Sequence, residues 1–376
     1  MLSLPDKLTA ESFLQQHWQK SPLFMARALP RLRPAVTRNE LAWLATLDDV
    51  ESRIVFVDRR SGRNRYRSET GPFDPETLAN LPRRDWTLLV HDVEKHVPAL
   101  RALFATVPFI PDWRIDDLMV SFAAPGGGVG PHRDNYDVFL CQGFGQRNWH
   151  FSADDVAADP EASEDLSLLA EFTGTVVDSV EGDVLYLPPG IAHWGTASRA
   201  CMTYSIGMRA PEATDLAYQL NIAPSGASDF YRDPDLDPSE SIPGFISRAA
   251  ARRASKLLGL SGKHFDDVAL ALGRIATQNK DWLKPDGANA AETEHWLSHM
   301  MAGGGLVIHG MAQVAFDDRC LFVNGQYCPL VPDAEALLAD ICSQRRLARS
   351  SRRDPRLAPL LTFLLANGAF EIPENH

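Results

Sequence analysis

The sequence predicts an α+β protein in which a β-sandwich or barrel fills roughly the first 210 residues and helices dominate the remainder. Three observations carry this. Short strand-like runs succeed one another with Gly and Pro between them: RIVFV (53–57), WTLLV (86–90), LMVSF (118–122), YDVFL (136–140), GTVVDSV (174–180), DVLYLP (183–188) and MTYSIGMR (202–209). The stretch SGASDFYRDPDLDPSESIPG (225–244), rich in Asp, Ser and Pro, has the composition of a loop or linker. The last hundred residues then alternate helical periodicity with short strands.

Taken in order, ESFLQQHWQKSPLF opens the chain as a helix with Phe13, Leu14 and Trp18 on one face. The strand runs come next, joined by RNWHF at 147–151. After the linker, PGFISRAAARRASKLLGL and DDVALALGRIATQ read as amphipathic helices suited to a bundle or a dimer interface. GLVIHG, QVAFDD and CLFVNGQYCPL are short strands, with NGQ at 324–326 as a tight hairpin. Helices around DAEALLADICSQ and PRLAPLLTFLLANG complete an order of winged-helix type. Between them lie Arg345, Arg346, Arg349, Arg352, Arg353 and Arg356. This run is either a nucleic-acid contact or a solvated linker, and the linker is preferred because no aromatic or Gly-rich partner motif accompanies it.

Composition narrows the function class. The chain has 376 residues, 45% hydrophobic and 23% charged, with no apolar run long enough to span a bilayer, so no membrane association is expected. The N-terminus lacks the basic start and apolar stretch of a secretory signal. Cys141, Cys201, Cys320, Cys328 and Cys342 are scattered and form no CxxC pair, which indicates neither a disulfide framework nor a zinc knuckle. The expectation is a cytoplasmic protein. A formal net charge of −12 disfavours nucleic-acid binding and suits a basic protein partner.

The chemistry-bearing segment is GPHRDNYDVFLCQGFGQRNWHF (130–151). On or entering a strand, His132 and Asp134 project to one side and offer an imidazole and a carboxylate to a common point. An H-x-D triplet alone is weak evidence, because chance produces it often. GDVLYLPPGIAHWG (182–195) supplies a third ligand: a strand up to Tyr186 and Leu187, a rigid Pro188-Pro189-Gly190 turn, then His193. That layout is the usual second ligand segment of cupin-type double-stranded β-helices. Together the residues make a 2-His-1-carboxylate facial triad, the arrangement of non-haem Fe(II) oxygenases. Such a site leaves positions open for 2-oxoglutarate and O2. Arg147, 15 residues past His132, is then the candidate cation for the far carboxylate of the keto acid. Thr203, on the strand after His193, could donate a hydroxyl to it. His17, His91, His96, His264, His295, His299, His309 and His376 read as ordinary hydrogen-bonded histidines. His150 is harder to dismiss but has no carboxylate at ligand spacing.

DDLMVSFAAPGGGVGPHRDNYDVFLCQGFGQRNWHF, GDVLYLPPGIAHWGTA, MTYSIGMRAP and the opening FLQQHWQKSPLFM resemble the bacterial ribosomal oxygenases of the JmjC class. The resemblance implies a JmjC double-stranded β-helix catalytic domain at 1–211, a helical dimerisation region with linker at 212–272, and a winged-helix-like domain at 273–376. It implies a homodimer whose substrate is the sixteenth protein of the large ribosomal subunit, hydroxylated on an arginine side chain at Cβ with Fe(II), 2-oxoglutarate and O2. His132, Asp134 and His193 are then the catalytic metal ligands and Arg147 the 2-oxoglutarate arginine. Asp117, Met119 and Tyr136 line the substrate pocket, with Ser205 a further candidate. An acid and an aromatic face suit a guanidinium, although Asp117 could instead be a strand-flanking charge and Tyr136 a core aromatic. Three alternatives stay open: a histidyl hydroxylase, a JmjC demethylase using the same iron site, and a non-catalytic cupin-like binding module.

Overall fold

The computed structural model describes every residue except 1, 6–7, 31, 33–35, 60–61, 163–165, 224–228, 261, 302–303, 348–353, 355 and 373–376. The chain divides into two compact units, Met1–Val107 with Ile115–Met208, and Pro108–Arg114 with Arg209–His376.

The first unit contains strands β1 (Leu23–Met25), β2 (Ser52–Asp58), β3 (Arg65–Thr70), β4 (Trp86–Val90), β5 (Ile115–Ala123), β6 (Val138–Phe144), β7 (Gln146–Ser152), β8 (Thr175–Val180), β9 (Val184–Leu187), β10 (Ala192–Ala197) and β11 (Cys201–Met208). Eight of them form one antiparallel sheet in the order β1-β9-β6-β11-β5-β4-β2-β3, and β10-β7-β8 form a second. The crossovers fit the double-stranded β-helix expected from the sequence. Strands β3 and β10 have no counterpart among the strand runs of the sequence: RYRSET is half-exposed and polar, and AHWGTA carries too little apolar signal to stand out from the turn before it.

Strand β11 is buried along its whole length, since it lies mid-sheet between β5 and β6 with both faces covered. The outer face of β6 and β9 packs on helix α1 (Ala10–Gln16), which starts at a capping box between Thr9 and Ser12. Phe13 and Trp18 lie against Tyr186, with ring centroids 5.1 and 6.0 Å away, and Phe139 closes the cluster. The predicted helix over ESFLQQHWQKSPLF is shorter in the structure because its last residues turn into β1, which pairs with β9. The opposite face of β6 and β9 (Val138, Leu140, Leu185, Leu187) meets Trp149 and Phe151 of the small sheet. That inner space holds the candidate site.

Past β4 the chain turns through Asp92, in the left-handed region at φ 54°, into a single turn at Val93–His96. Beyond the end of β4 the Leu118 N–H has no strand partner on that side, and it donates to Glu94 Oε2 at 3.0 Å. Burial pushes the Glu94 carboxyl up to about 7. In the folded chain Glu94 therefore keeps a proton that the unfolded chain releases near pH 4.5, so stability falls as pH rises through that window. Glu94→Gln is expected to match the wild type at about pH 4 and to be more stable at about pH 8 by about 3 kcal/mol. Urea midpoints at the two pH values check this.

In the second unit, Arg248–Leu257 and Phe265–Ala276 are helices that bury Ala250 and Ala254 against Val268, Ala271 and Leu272, with Trp113 and Tyr231 in the same cluster. Arg114, fully buried, donates from Nε and Nη2 to both oxygens of Asp233 at 2.8 and 3.0 Å. The C-terminal part runs helix (Ala290–Met301), strands Leu306–Ile308, Val314–Phe316, Cys320–Val323 and Gln326–Pro329, then helices Glu335–Gln344 and Leu357–Ala366. Asn324 and Gly325 both have positive φ, 48° and 80°, as a two-residue hairpin requires. Of the linker 225–244 and the arginine run, residues 225–228 and Arg349, Arg352 and Arg353 lie outside the described residues, as does His376. Among the described residues no helix is long and apolar enough to cross a membrane.

Candidate metal centre

His132 and His193 face each other across a short antiparallel bridge. The His132 N–H donates to the His193 carbonyl at 3.0 Å, and the His193 N–H to the His132 carbonyl at 2.9 Å. Gly190, at φ 84° after the two prolines, donates its N–H to the Asp134 carbonyl at 2.8 Å. The two ligand segments are thus locked together by backbone alone. His132 and Asp134 lie in the loop before β6, and not on the strand itself, which begins at Val138.

Each imidazole is also oriented from behind. His132 Nδ1 lies 2.9 Å from the Gly130 carbonyl and His193 Nδ1 3.0 Å from that of Ile191. A carbonyl only accepts, so both Nδ1 atoms carry a proton, and in the neutral ring that leaves the Nε2 lone pair for a metal. The free atoms converge on Asp134: His132 Nε2 is 3.9 Å from Oδ1 and His193 Nε2 3.6 Å from Oδ2. All three donors lie within 4.8 Å of one another, close enough for small side-chain adjustments to bring each to about 2 Å from one cation between them. Burial, then the neighbouring His132, lowers the His193 pKa to about 4, so the ring is neutral near pH 7 and fit to bind a metal. Arg133 between the ligands points elsewhere, donating to the carbonyls of Val156 and Asp154 at 3.0 and 2.9 Å.

Strand β7 alternates, and Arg147, Trp149 and Phe151 are its buried residues. Arg147 is only 4% exposed, its guanidinium 5.3 Å from the centre of the Trp149 ring. Its Nε and Nη2 are buried without a hydrogen-bond partner among the described residues, as is Oγ of Ser179 directly opposite on β8. An unmatched buried cation is costly, and a bound carboxylate would satisfy it. Gly195 makes room: a Cβ there would stand 2.7 Å from Trp149 and 2.9 Å from Arg147 Cδ. Gly195→Ala is expected to shift both side chains and to weaken 2-oxoglutarate binding about tenfold, measurable by titration of the metal-loaded protein. Thr203 is buried on β11 and donates its hydroxyl to Gln142 Oε1 at 3.1 Å. Gln142 and Ser179 have no signal in the sequence beyond an inward place on a strand.

Asp117, Met119, Thr203 and Ser205 share one sheet face. Ser205 pairs with Met119, and Gly207 with Asp117, in the β11–β5 register. A Cβ on Gly207 would lie 2.8 Å from Asp117 Oδ1 and 3.9 Å from Tyr136 Cε2, so the missing side chain opens the space that Asp117 and Tyr136 border. Met119 packs against the cluster of Val55, Leu89, Leu166 and Leu168. Tyr136 is 39% exposed, while desolvation of its hydroxyl end and the carboxylates of Asp134, Asp117 and Asp116 raise its pKa and keep it protonated. His91, read from sequence as an ordinary histidine, has Nδ1 3.0 Å from Asp117 Oδ2. His150 stacks on Trp194 with centroids 4.1 Å apart.

A profile described as the JmjC domain matches residues 102–216. The chain is 38% identical over 369 residues to the ribosomal protein uL16 3-hydroxylase of Escherichia coli K12, covering 95% of each. It is 34% identical over 253 residues to a probable ribosomal oxygenase of Haemophilus influenzae, covering 66% of this chain and 60% of that one. Crystal structures of the E. coli ribosomal oxygenase YcfD superpose with TM-scores of 0.75, and of 0.73 for its complex with cobalt and 2-oxoglutarate. Each is 28% identical, covering 99% of both chains in the first case and 100% in the second. With the sandwich, the converging ligands and this full-length likeness together, the chain belongs to the JmjC-domain ribosomal oxygenases.

Proposed function

We propose that this protein is an Fe(II)- and 2-oxoglutarate-dependent hydroxylase of ribosomal protein uL16, acting at Cβ of an arginine side chain. The observation that carries the chemistry is the pairing of three convergent donors with a buried guanidinium, two of whose nitrogens have no hydrogen-bond partner among the described residues. Bound here, Fe(II) and 2-oxoglutarate supply oxygen activation, one atom of O2 entering a C–H bond while the keto acid becomes succinate and CO2.

The protein's own part is to hold and to exclude. His132 and His193 offer Nε2 lone pairs fixed by their Nδ1–H bonds, and Asp134 adds negative charge on the same face. Arg147 takes the distal carboxylate of 2-oxoglutarate against the Trp149 face, and the Thr203 hydroxyl would have to turn from Gln142 to reach the keto acid. Asp117 receives the substrate guanidinium, Tyr136 lies along its plane, and Met119 and Ser205 line its aliphatic part. The same reading takes 212–272 as a dimerisation region and 273–376 as a winged-helix-like domain, in a cytoplasmic homodimer. Tyr218, 83% exposed on the helix Ala213–Gln219, supports an interface there.

Mass spectrometry of uL16 after incubation with the protein, Fe(II), 2-oxoglutarate and O2 tests the assignment. A one-oxygen gain on one arginine is the expected result. The same gain on a histidine would move the substrate and keep the chemistry, loss of a methyl group would make the protein a demethylase, and no turnover of 2-oxoglutarate would leave a binding module.

A further inference from the structure

We propose that His91 is a positioning residue for the substrate cation, holding Asp117 by one carboxylate oxygen so that the other faces the open space above Gly207. This rests on the reading of Asp117 as the acceptor for the substrate guanidinium.

The two oxygens of Asp117 have different neighbours. Oδ2 lies 3.0 Å from His91 Nδ1, and Oδ1 lies over Gly207, where an added Cβ would come within 2.8 Å. A carboxylate accepts and cannot donate, so Nδ1 carries the proton and the bond leaves the charge of Asp117 intact. An aspartate on an open sheet face otherwise turns freely about its last torsion, which has broad wells. Pinned at one oxygen, it presents the second in a fixed direction, and a guanidinium with its rigid fork of N–H donors gains most from such an acceptor.

The support behind His91 is backbone. Its N–H donates to the Glu51 carbonyl at 2.9 Å, and the next residue, Asp92, makes the left-handed turn that ends the strand. From the same turn Glu94 holds the N–H of Leu118, the residue after Asp117. One short segment of chain, 91–94, therefore grips β5 twice at the point where the substrate acid projects. Met119 and Ser205 lie on the same face, but Met119 has no donor and no hydrogen bond joins Ser205 to Asp117 among the described residues.

The test compares His91→Leu, His91→Asn and Asp117→Asn in the full-length, metal-loaded protein with uL16 as substrate. Asparagine places an amide N–H close to where Nδ1 stands, whereas leucine fills the space without a donor. His91→Leu is expected to raise KM for uL16 about tenfold, with kcat and the KM for 2-oxoglutarate within about twofold of wild type. His91→Asn is expected to recover most of that loss. A merely structural histidine would instead lower Tm and degrade both variants alike, which overturns the proposal. So does an unchanged KM in His91→Leu beside a raised KM in Asp117→Asn. If Asp117→Asn also leaves KM unchanged, the assignment of Asp117 as the cation's partner falls first, and the role of His91 with it.

Discussion

Asp134→Ala is expected to abolish hydroxylation of uL16 while leaving the fold in place. The side chain is one of three donors on a single face and the only one that carries charge. Without it, two imidazoles remain, and neither brings negative charge to a divalent cation. The loss in turnover should exceed the roughly 10–100-fold that removal of an outer partner of a metal ligand costs, reaching at least about a thousandfold. Stability should change little, because the bond that ties this loop to the Pro188-Pro189-Gly190 turn uses the Asp134 carbonyl and not its carboxylate. Metal content of the purified variant, its Tm and single-turnover product together decide it. A variant that holds iron and hydroxylates would place the metal elsewhere. A variant that fails to fold would show that the carboxylate supports the loop.

The legible part of this protein is what local chemistry specifies. His132, Asp134 and His193 can be paired from sequence because a rigid Pro-Pro-Gly turn and an H-x-D triplet each restrict where a ligand emerges. Arg147 is legible too, because the alternation of RNWHF points Arg147, Trp149 and Phe151 to one side, in agreement with the burial of β7. The illegible part depends on register between distant strands. His91 meets Asp117 only because β4 ends one residue before it while β5 runs on past that point. Nothing near either residue in sequence records that pairing. The same holds for Gly195 and Gly207, whose missing side chains make room for residues on other strands. Strand β10 is hard to read because its inward residues are a histidine and two small ones (His193, Gly195, Ala197), where strand patterns are sought in large apolar ones.

Arg147→Met is expected to move function and stability in opposite directions. In the protein without 2-oxoglutarate, two guanidinium nitrogens are buried with no partner among the described residues, and the cation–π contact with Trp149 offsets only part of that cost. Methionine keeps most of the volume and removes the charge, so the unliganded variant should be more stable by about 1–3 kcal/mol. Binding should suffer by more. A carboxylate held by charged N–H donors gains about 1.5–3 kcal/mol per bond, so loss of the fork should raise the Kd for 2-oxoglutarate at least about a hundredfold, or about 2.7 kcal/mol. Thermal melts separate the two effects. Wild type should start lower and rise steeply on addition of 2-oxoglutarate with Mn(II), since a ligand that binds only the folded state stabilises it by mass action. The variant should start higher and hardly move. If instead Arg147→Met melts lower than wild type and still responds to 2-oxoglutarate, the guanidinium is held by the protein itself. The anion would then have to find its cation elsewhere. The opposite signs distinguish a residue kept for its ligand from one kept for the fold, which a drop in activity alone cannot do.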